Sequence, residues 1–75
     1  MPLIQDAQIR LDQYLKWQGV VRSGGEAKYL IQTGQVRVNG AVETRRTKKL
    51  RSGDVVQIGD REFTVHFGAD GLLER

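Results

Sequence analysis

The feature of this sequence best suited to chemistry is a dense cluster of positive charge. Four of five consecutive positions are occupied by Arg45, Arg46, Lys48 and Lys49. Charges spaced this closely repel one another, and a polyphosphate would relieve that repulsion while releasing its own counterions. The cluster therefore predicts an electrostatic contact with a polyanion. A solvated basic face that serves only solubility is the alternative that composition leaves open.

Charge is also segregated along the chain, which has 75 residues and a formal net charge of +3. Residues 35–51 carry six cations against the single carboxylate of Glu43, whereas residues 52–75 carry two cations against five carboxylates. A local excess of this size creates a positive field that attracts anionic partners, nucleic acid among them. The acidic last third could instead pair with a protein, so a protein-interaction adaptor is the second hypothesis.

Residues for catalysis or metal binding are scarce. The chain has no cysteine, which excludes a disulfide scaffold, a thiolate zinc site and a cysteine nucleophile, and a single histidine cannot build a His-rich metal site. His66 should lie on the solvent face of a strand, where a surface role is far commoner than that of a general base. Gly24-Gly25 lacks the spacing and the lysine of a Walker loop. We predict no enzyme activity, no cofactor and no metal.

The composition is that of a globular domain, with 39% hydrophobic and 28% charged residues. The length suits one domain spanning residues 1–75. No apolar run approaches the length of a transmembrane helix, and residues 1–6 lack the basic and apolar regions of a signal peptide. We therefore expect a cytoplasmic protein, a monomer by default, with no membrane partner.

Hydrophobic spacing predicts two helices in the first half of the chain. The first should end at Gly19. Its buried face should be formed by Leu11, Tyr14, Leu15 and Gln18. The second should run from about residue 24 to residue 33, because Ser23 and Glu26 have the spacing of a capping box and Gly34 can adopt the left-handed stop. The buried face of this second helix should be formed by Ala27, Leu30 and Ile31.

From residue 35 the hydrophobic period changes to 2, the period of a strand. Val36 and Val38 should face the core. Asn39-Gly40 is a strong hairpin signal because both positions of such a turn need positive φ, and the return strand is expected at residues 41–44. Another strand is expected at residues 55–58. The last strand should be the alternating run of Phe63, Val65 and Phe67.

The remaining segments complete the predicted fold. Residues 45–49 are interpreted as a loop or edge segment, Gln8 and Ile9 as a short strand, and the residues from Gly68 onward as a loosely packed tail. The fold class is therefore α+β, with two N-terminal helices packed on a small, mostly antiparallel β-sheet. Its motif core should cover about residues 9–58, followed by a C-terminal hairpin strand and tail at residues 59–75.

Four segments carry a resemblance to a known family. They are Arg10-Leu11-Asp12-Gln13-Tyr14-Leu15, Ser23-Gly24-Gly25-Glu26-Ala27-Lys28, Gly34-Gln35-Val36-Arg37-Val38-Asn39-Gly40 and Ser52-Gly53-Asp54. In this order and spacing they resemble the S4 RNA-binding domain, in the form of its small stand-alone bacterial members. The resemblance implies two helices over an antiparallel sheet and binding of structured RNA, most often ribosomal RNA. In larger relatives the domain delivers RNA to an attached enzyme and does no chemistry itself.

The chain departs from the family at one position. Many members carry Arg directly after the Ser that begins the second helix, whereas this chain has Gly24. The helix N-terminus still offers N–H groups and a partial positive charge to a phosphate. The resemblance therefore implies either that RNA contact shifts toward Arg22 and Lys28 or that affinity is lower.

The predicted RNA-binding residues are cations and one amide that lie in or directly before the matching segments, together with the cations of the basic cluster. They are Arg10, Arg22, Lys28, Arg37, Asn39, Arg45, Arg46, Lys48 and Lys49. Arg10 could equally form a structural pair with an acidic neighbour, and Asn39 could equally serve the turn. Because the chain has only five aromatic residues, we expect recognition of RNA shape and backbone more than of sequence.

The function expected from these observations is non-catalytic binding of structured RNA, with ribosome assembly or RNA metabolism as the process. A ribosomal or RNA-processing protein is an expected neighbour. The adaptor hypothesis remains the alternative. DNA binding ranks below RNA binding because no recognition helix of the helix-turn-helix kind stands out.

Overall fold

A computed structural model describes residues 7–74 of the chain. Residues 1–6, in which the sequence predicts no signal peptide, lie outside the described residues. Two helices, α1 (Leu11–Trp17) and α2 (Gly24–Gln32), follow a short first strand, β1 (Ile9–Arg10). The later strands are β2 (Val36–Val38), β3 (Ala41–Val42), β4 (Lys49–Leu50), β5 (Val55–Ile58), β6 (Arg61–Thr64), β7 (His66–Phe67) and β8 (Leu73–Glu74).

Every strand pair in the described part of the chain is antiparallel. The main sheet has four strands in the order β3-β2-β5-β6, and two smaller sheets are formed by β1 with β4 and by β7 with β8. The α+β class with two helices is therefore confirmed. The single small sheet of the prediction is in fact three sheets, because the two additional pairs join segments far apart in sequence or at the very end.

The core explains why the helices form where they do. α1 buries Leu11, Tyr14 and Leu15 completely, as their helical spacing predicts. α2 buries Ala27 and Ile31, whereas Leu30 is only partly buried against the same core. The strands and their connections complete the core with Val36, Val38, Leu50, Val56 and Val65. Arg37 lies exposed between two buried valines of β2, as the alternation of a strand requires.

The start of α2 is capped as the Ser23 spacing predicts. The Ser23 Oγ accepts a hydrogen bond from the backbone N–H of Glu26 at 3.2 Å. The Glu26 carboxylate reaches back to the backbone N–H of Arg22 at 2.8 Å, one residue earlier than in the standard capping box. At the other end, Gly34 has a φ of 80°, the left-handed conformation that stops a helix.

The C-terminal segment corrects two predictions. The strand expected through Phe63 and Phe67 is interrupted at Val65, whose backbone N–H donates to Asp54 and whose carbonyl accepts from Gly53. The chain then turns back, so that β8 pairs with β7. The expectation of a loosely packed tail is therefore wrong. The interruption arises from bonds to a turn eleven residues or more earlier, which no local pattern reveals.

The short strands near the basic cluster also differ in detail from expectation. β1 covers Ile9–Arg10, one residue later than predicted. Residues 45–48 lie outside regular structure, as expected of a loop, but Lys49 begins β4, which pairs with β1. Within residues 7–74, no helix has the length and apolarity needed to cross a membrane.

Replacing Ser23 tests the cap of α2. We expect Ser23→Ala to lower the free energy of unfolding by about 1 kcal/mol, because the N–H of Glu26 loses its acceptor. Urea denaturation of the two proteins measures the difference. Ser23→Asp supplies another acceptor and should keep most of the stability; equal losses in both variants would contradict the capping role.

Candidate nucleic-acid interface

The basic segment, residues 45–51, is held against the start of α1. The backbone N–H of Leu11 donates to the carbonyl of Lys48 at 2.8 Å, and that of Asp12 donates to the carbonyl of Arg46 at 3.1 Å. The first N–H groups of a helix have no partner within the helix, so these carbonyls satisfy them. The same bonds fix the backbone of the basic segment at two points.

The side chains of the basic segment surround an open groove of about 540 Å³. The groove is lined by Arg45, Thr47, Lys48, Lys49, Arg51 and Asp54. Leu50 points the other way and is completely buried. Because neighbouring side chains of a strand point to opposite faces, burial of Leu50 directs Lys49 and Arg51 outward together. The result is a concave surface with four cations and one carboxylate.

Three of these lining residues were missed by the sequence analysis. Arg51 and Thr47 line the groove but were not among the predicted binding residues, and the same holds for the third such residue, the carboxylate of Asp54. The alternation around Leu50 carries the signal for Arg51, since a buried residue between two cations puts both on the solvent side. Nothing comparable in the sequence indicates Thr47.

Three of the nine predicted residues, Arg45, Lys48 and Lys49, line the groove. Arg46 is exposed beside it. Arg22 and Lys28 are exposed at the N-terminal part of α2, and Arg37 is exposed on β2. The structure therefore brings three of the predicted residues together in one groove, and the other exposed cations are outside its lining.

Arg10 is engaged in a structural ion pair. Its Nε lies 3.0 Å from Asp12 Oδ1 and its Nη2 lies 2.6 Å from Asp12 Oδ2, the bidentate geometry that suits a guanidinium and a carboxylate. Asp12 is buried, with 4% of its surface exposed. The hydrogen bond from Arg10 holds the pKa of Asp12 below its ordinary value, and the nearby Arg46 acts in the same direction. The structural pair expected as one alternative for Arg10 is therefore present, and the Arg10 side chain stays 42% exposed.

Asn39 is engaged in the turn. It has a φ of 53°, a left-handed conformation that Asn tolerates better than most residues. Its Oδ1 accepts from the backbone N–H of Val55 at 2.9 Å, and its Nδ2 donates to Asp54 Oδ1 at 3.1 Å. The amide thus ties the hairpin turn to the segment that follows the groove, which is the structural alternative of the prediction.

The only carboxylate of residues 35–51 also has a defined place. Glu43 Oε2 accepts from the backbone N–H of Arg45 at 3.0 Å and from its Nε at 3.4 Å. The bond from this backbone N–H is the main reason that the pKa of Glu43 lies below its ordinary value. The Glu43 side chain is 17% exposed, whereas that of Arg45 is 73% exposed. Arg45 therefore remains accessible to a ligand.

Aromatic side chains contribute little to this surface. Tyr14 is buried in the core, as predicted, and its ring lies 6.0 Å from that of Trp17 in a stacked arrangement. Tyr29 on α2 is exposed. In the part of the chain that the structure describes, no group of three or more His, Cys, Asp or Glu residues could hold a metal ion.

Comparison with known proteins identifies the family. The family model described as "S4 domain" matches residues 3–66. This chain belongs to the S4 domain family. The match includes both helices, the basic segment and the main sheet, so the resemblance found in the four sequence segments is confirmed.

The relatives differ in length and in name. The chain is 44% identical over 55 residues, 73% of its length and 78% of the relative's, to the "Probable ribosome maturation protein RlbA" of Bacillus subtilis. It is 40% identical over 57 residues, 76% of its length and 81% of the relative's, to YbcJ of Escherichia coli, provisionally named an RNA-binding protein. A tyrosine–tRNA ligase of Nitrosomonas europaea is 40% identical over 62 residues, 80% of this chain but 15% of the ligase.

A solved structure supports the fold. The 30S ribosomal protein S4e of Thermoplasma acidophilum superposes with a TM-score of 0.67, at 22% sequence identity, over 91% of this chain and 36% of that protein. The likeness confirms an S4-like arrangement of two helices and antiparallel sheets.

The pair of buried Asp12 with partly exposed Arg10 should make stability depend on pH. Because the pKa of Asp12 is lowered in the folded protein, its stabilising effect is present above the unfolded-state pKa of about 4 and is lost as the pH falls through the folded-state pKa. At pH 7 we expect Asp12→Asn to lower the free energy of unfolding by about 1–3 kcal/mol.

Urea denaturation between about pH 7 and pH 3 checks this expectation. The difference between wild type and Asp12→Asn should shrink toward acid pH, since the wild-type carboxylate becomes protonated there. A difference that stays constant over the whole range would show that the charge of Asp12 contributes nothing.

Proposed function

We propose that this chain binds structured RNA, ribosomal RNA foremost, through the groove of the basic segment together with the exposed cations at the start of α2 and on β2. The observation that carries the proposal is the convergence of Arg45, Lys48, Lys49 and Arg51 on one open concave surface. A phosphate backbone is the ligand that such a surface suits best, because each neutralised phosphate releases counterions. Membership of the S4 domain family and the names of the two short relatives point in the same direction.

The backbone of the groove is arranged before any ligand arrives. Two carbonyls of the basic segment are bonded to α1, and β4 is paired with β1. A surface that is already ordered loses little conformational entropy on binding. The side chains that line it are four cations, a threonine and an aspartate rather than aromatic rings, so we propose recognition of RNA shape and backbone with little dependence on base sequence.

The proposed role involves no catalysis. Arginine and lysine at this surface position phosphates, and the match to tyrosine–tRNA ligase covers only 15% of that enzyme, within its S4 domain. Since one short relative carries the name of a ribosome maturation protein, we propose that the chain acts in ribosome maturation in the cytoplasm, as a monomer beside ribosomal or RNA-processing proteins.

The adaptor hypothesis makes a different prediction for the cellular complex. Acidic residues lie on the C-terminal strands and turns, including Glu62 and Glu74, and could face a protein. If the chain leaves its complex after nuclease treatment, the contact runs through RNA. Retention after that treatment would favour a protein partner and contradict the proposal.

Removing the basic cluster tests the proposed contact. We expect the combined variant Arg45→Ala, Arg46→Ala, Lys48→Ala and Lys49→Ala to bind a structured fragment of ribosomal RNA more weakly. Its plot of log affinity against log salt should flatten by about 0.7–0.9 for each lost phosphate contact. Binding is measured by fluorescence anisotropy from about 50 to 200 mM salt, with duplex DNA of equal length as the comparison ligand.

The control variant combines Lys16→Ala and Arg61→Ala, which removes two cations outside the groove lining. Per charge removed, its salt dependence should change less than that of the fourfold variant. Unchanged affinity and slope in the fourfold variant would remove the basic cluster from the mechanism. Equal binding to RNA and DNA by the wild type would reduce the groove to a general cation patch.

The position of Gly24 offers a gain-of-function test. A Cβ added there would meet no atom within 4 Å, and no positive φ disfavours a side chain at this first position of α2. We expect Gly24→Arg to bind the ribosomal RNA fragment about two- to fivefold more tightly, with a salt slope steeper by about 0.7–0.9, because one phosphate contact is added. Gly24→Ala controls for helix propensity. Equal affinities for the Arg and Ala variants would place the start of α2 outside the interface.

A further inference from the structure

Two carboxylates border the groove that we propose for RNA. Glu43 precedes the basic segment, and Asp54 follows it and lines the groove itself. For a surface that attracts a polyanion, negative charge at both ends lowers the positive potential and opposes binding. Their presence needs another physical explanation, and their hydrogen bonds supply one.

Each carboxylate accepts the backbone N–H at one end of the basic segment. Glu43 Oε2 binds the N–H of Arg45 at 3.0 Å. Asp54 Oδ2 binds the N–H of Arg51 at 2.8 Å. Hydrogen bonds to an ionised acceptor are stronger than those between neutral groups, so both ends are firmly fixed.

Both contacts are built into larger arrangements. The backbone N–H of Glu43 donates to the carbonyl of Val36 at 3.0 Å, which anchors Glu43 to the main sheet. The other oxygen of Asp54 accepts from Asn39 Nδ2 at 3.1 Å, and the backbone N–H of Asp54 donates to the carbonyl of Arg51 at 3.0 Å. Each carboxylate thus connects an end of the basic segment to the sheet.

The middle of the basic segment is held by contacts other than these two carboxylates. The bonds from α1 hold Arg46 and Lys48, and the pairing of β4 with β1 holds Lys49. Without Glu43 and Asp54, only the two ends, at Arg45 and Arg51, would lose a backbone contact. Those two arginines are the first and last residues of the basic segment, and both line the groove.

We propose that Glu43 and Asp54 are positioning residues that hold the ends of the basic segment in the geometry that binds RNA. The inference rests on the proposed function. It has an unexpected consequence, because removing an acidic side chain from this polyanion-binding surface should weaken binding when the hydrogen-bond acceptor is lost together with the charge. Long-range electrostatics alone requires the opposite sign.

Three variants separate the two effects. Glu43→Ala removes both the charge and the acceptor, Glu43→Gln removes the charge and keeps an acceptor oxygen, and Glu62→Ala removes an exposed carboxylate outside the groove lining. Affinity for the structured ribosomal RNA fragment is measured at one fixed salt concentration. Circular dichroism and thermal unfolding establish that each variant is folded.

Under the proposal, Glu43→Ala binds the RNA roughly three- to tenfold more weakly, since the end of the segment must be ordered on binding. Glu43→Gln binds within about twofold of wild type or more tightly, and Glu62→Ala changes affinity by less than about twofold. Tighter binding by Glu43→Ala, equal to that of Glu43→Gln, would overturn the proposal. The groove would then remain the RNA site and Glu43 would act only through its charge.

Hydrogen exchange at the amides of Arg45 and Arg51 provides an independent measurement, and it also tests Asp54. In free Glu43→Ala the amide of Arg45 should exchange faster than in wild type, and in Asp54→Ala the amide of Arg51 should do so, while the amide of Leu11 keeps its protection. Unchanged exchange at Arg45 and Arg51 would overturn the proposal without reference to RNA. Failure of the fourfold cation variant to lose affinity would instead overturn the proposed function.

Discussion

The structure depends above all on the backbone N–H groups at the start of α1, which have no acceptor within the helix. These donors must find acceptors, and they find them in the carbonyls of Arg46 and Lys48. One side of α1 buries Leu11, Tyr14 and Leu15 in the core, and its first turn holds the basic segment. The packing that stabilises the domain therefore also fixes the backbone on which the cations of the groove are carried.

A second constraint is the mutual repulsion of the cations. Six of them lie within residues 35–51, and folding brings Arg10 opposite Lys49 on neighbouring strands. Like charges in that relation destabilise a sheet, and the bidentate pair of Arg10 with Asp12 offsets this cost. The carboxylates of Asp12 and Glu43 accept hydrogen bonds from backbone and guanidinium groups at the border of the segment, while the side chains of Arg45, Lys49 and Arg51 stay exposed. The fold can be stable and still present a positive surface, because the carboxylates of Asp12 and Glu43 form hydrogen bonds within the protein.

Local signals predicted most of the fold, and contacts distant in sequence account for the rest. Residues within a few positions of one another determine the two helices, the Ser23 cap and the Asn39-Gly40 turn. The sequence pattern therefore predicts these features. The break at Val65 and the pairing of β7 with β8 depend on bonds to Gly53 and Asp54 and were missed. For the site, the sequence predicted the cluster of positive charge. The groove that it lines was seen only in the structure. The place of Arg51 in that groove follows from the burial of the Leu50 side chain, which turns Lys49 and Arg51 to the solvent side.

The most direct test of the proposed RNA-binding groove is to map the contact in solution. Uniformly ¹⁵N-labelled protein is titrated with a structured fragment of ribosomal RNA, and the amide shifts are followed residue by residue. The proposed interface predicts the largest changes at residues 45–51 and at the start of α2, around Arg22 and Lys28. Changes confined to the acidic strands and turns of residues 60–74, with the basic segment unaffected, would contradict it.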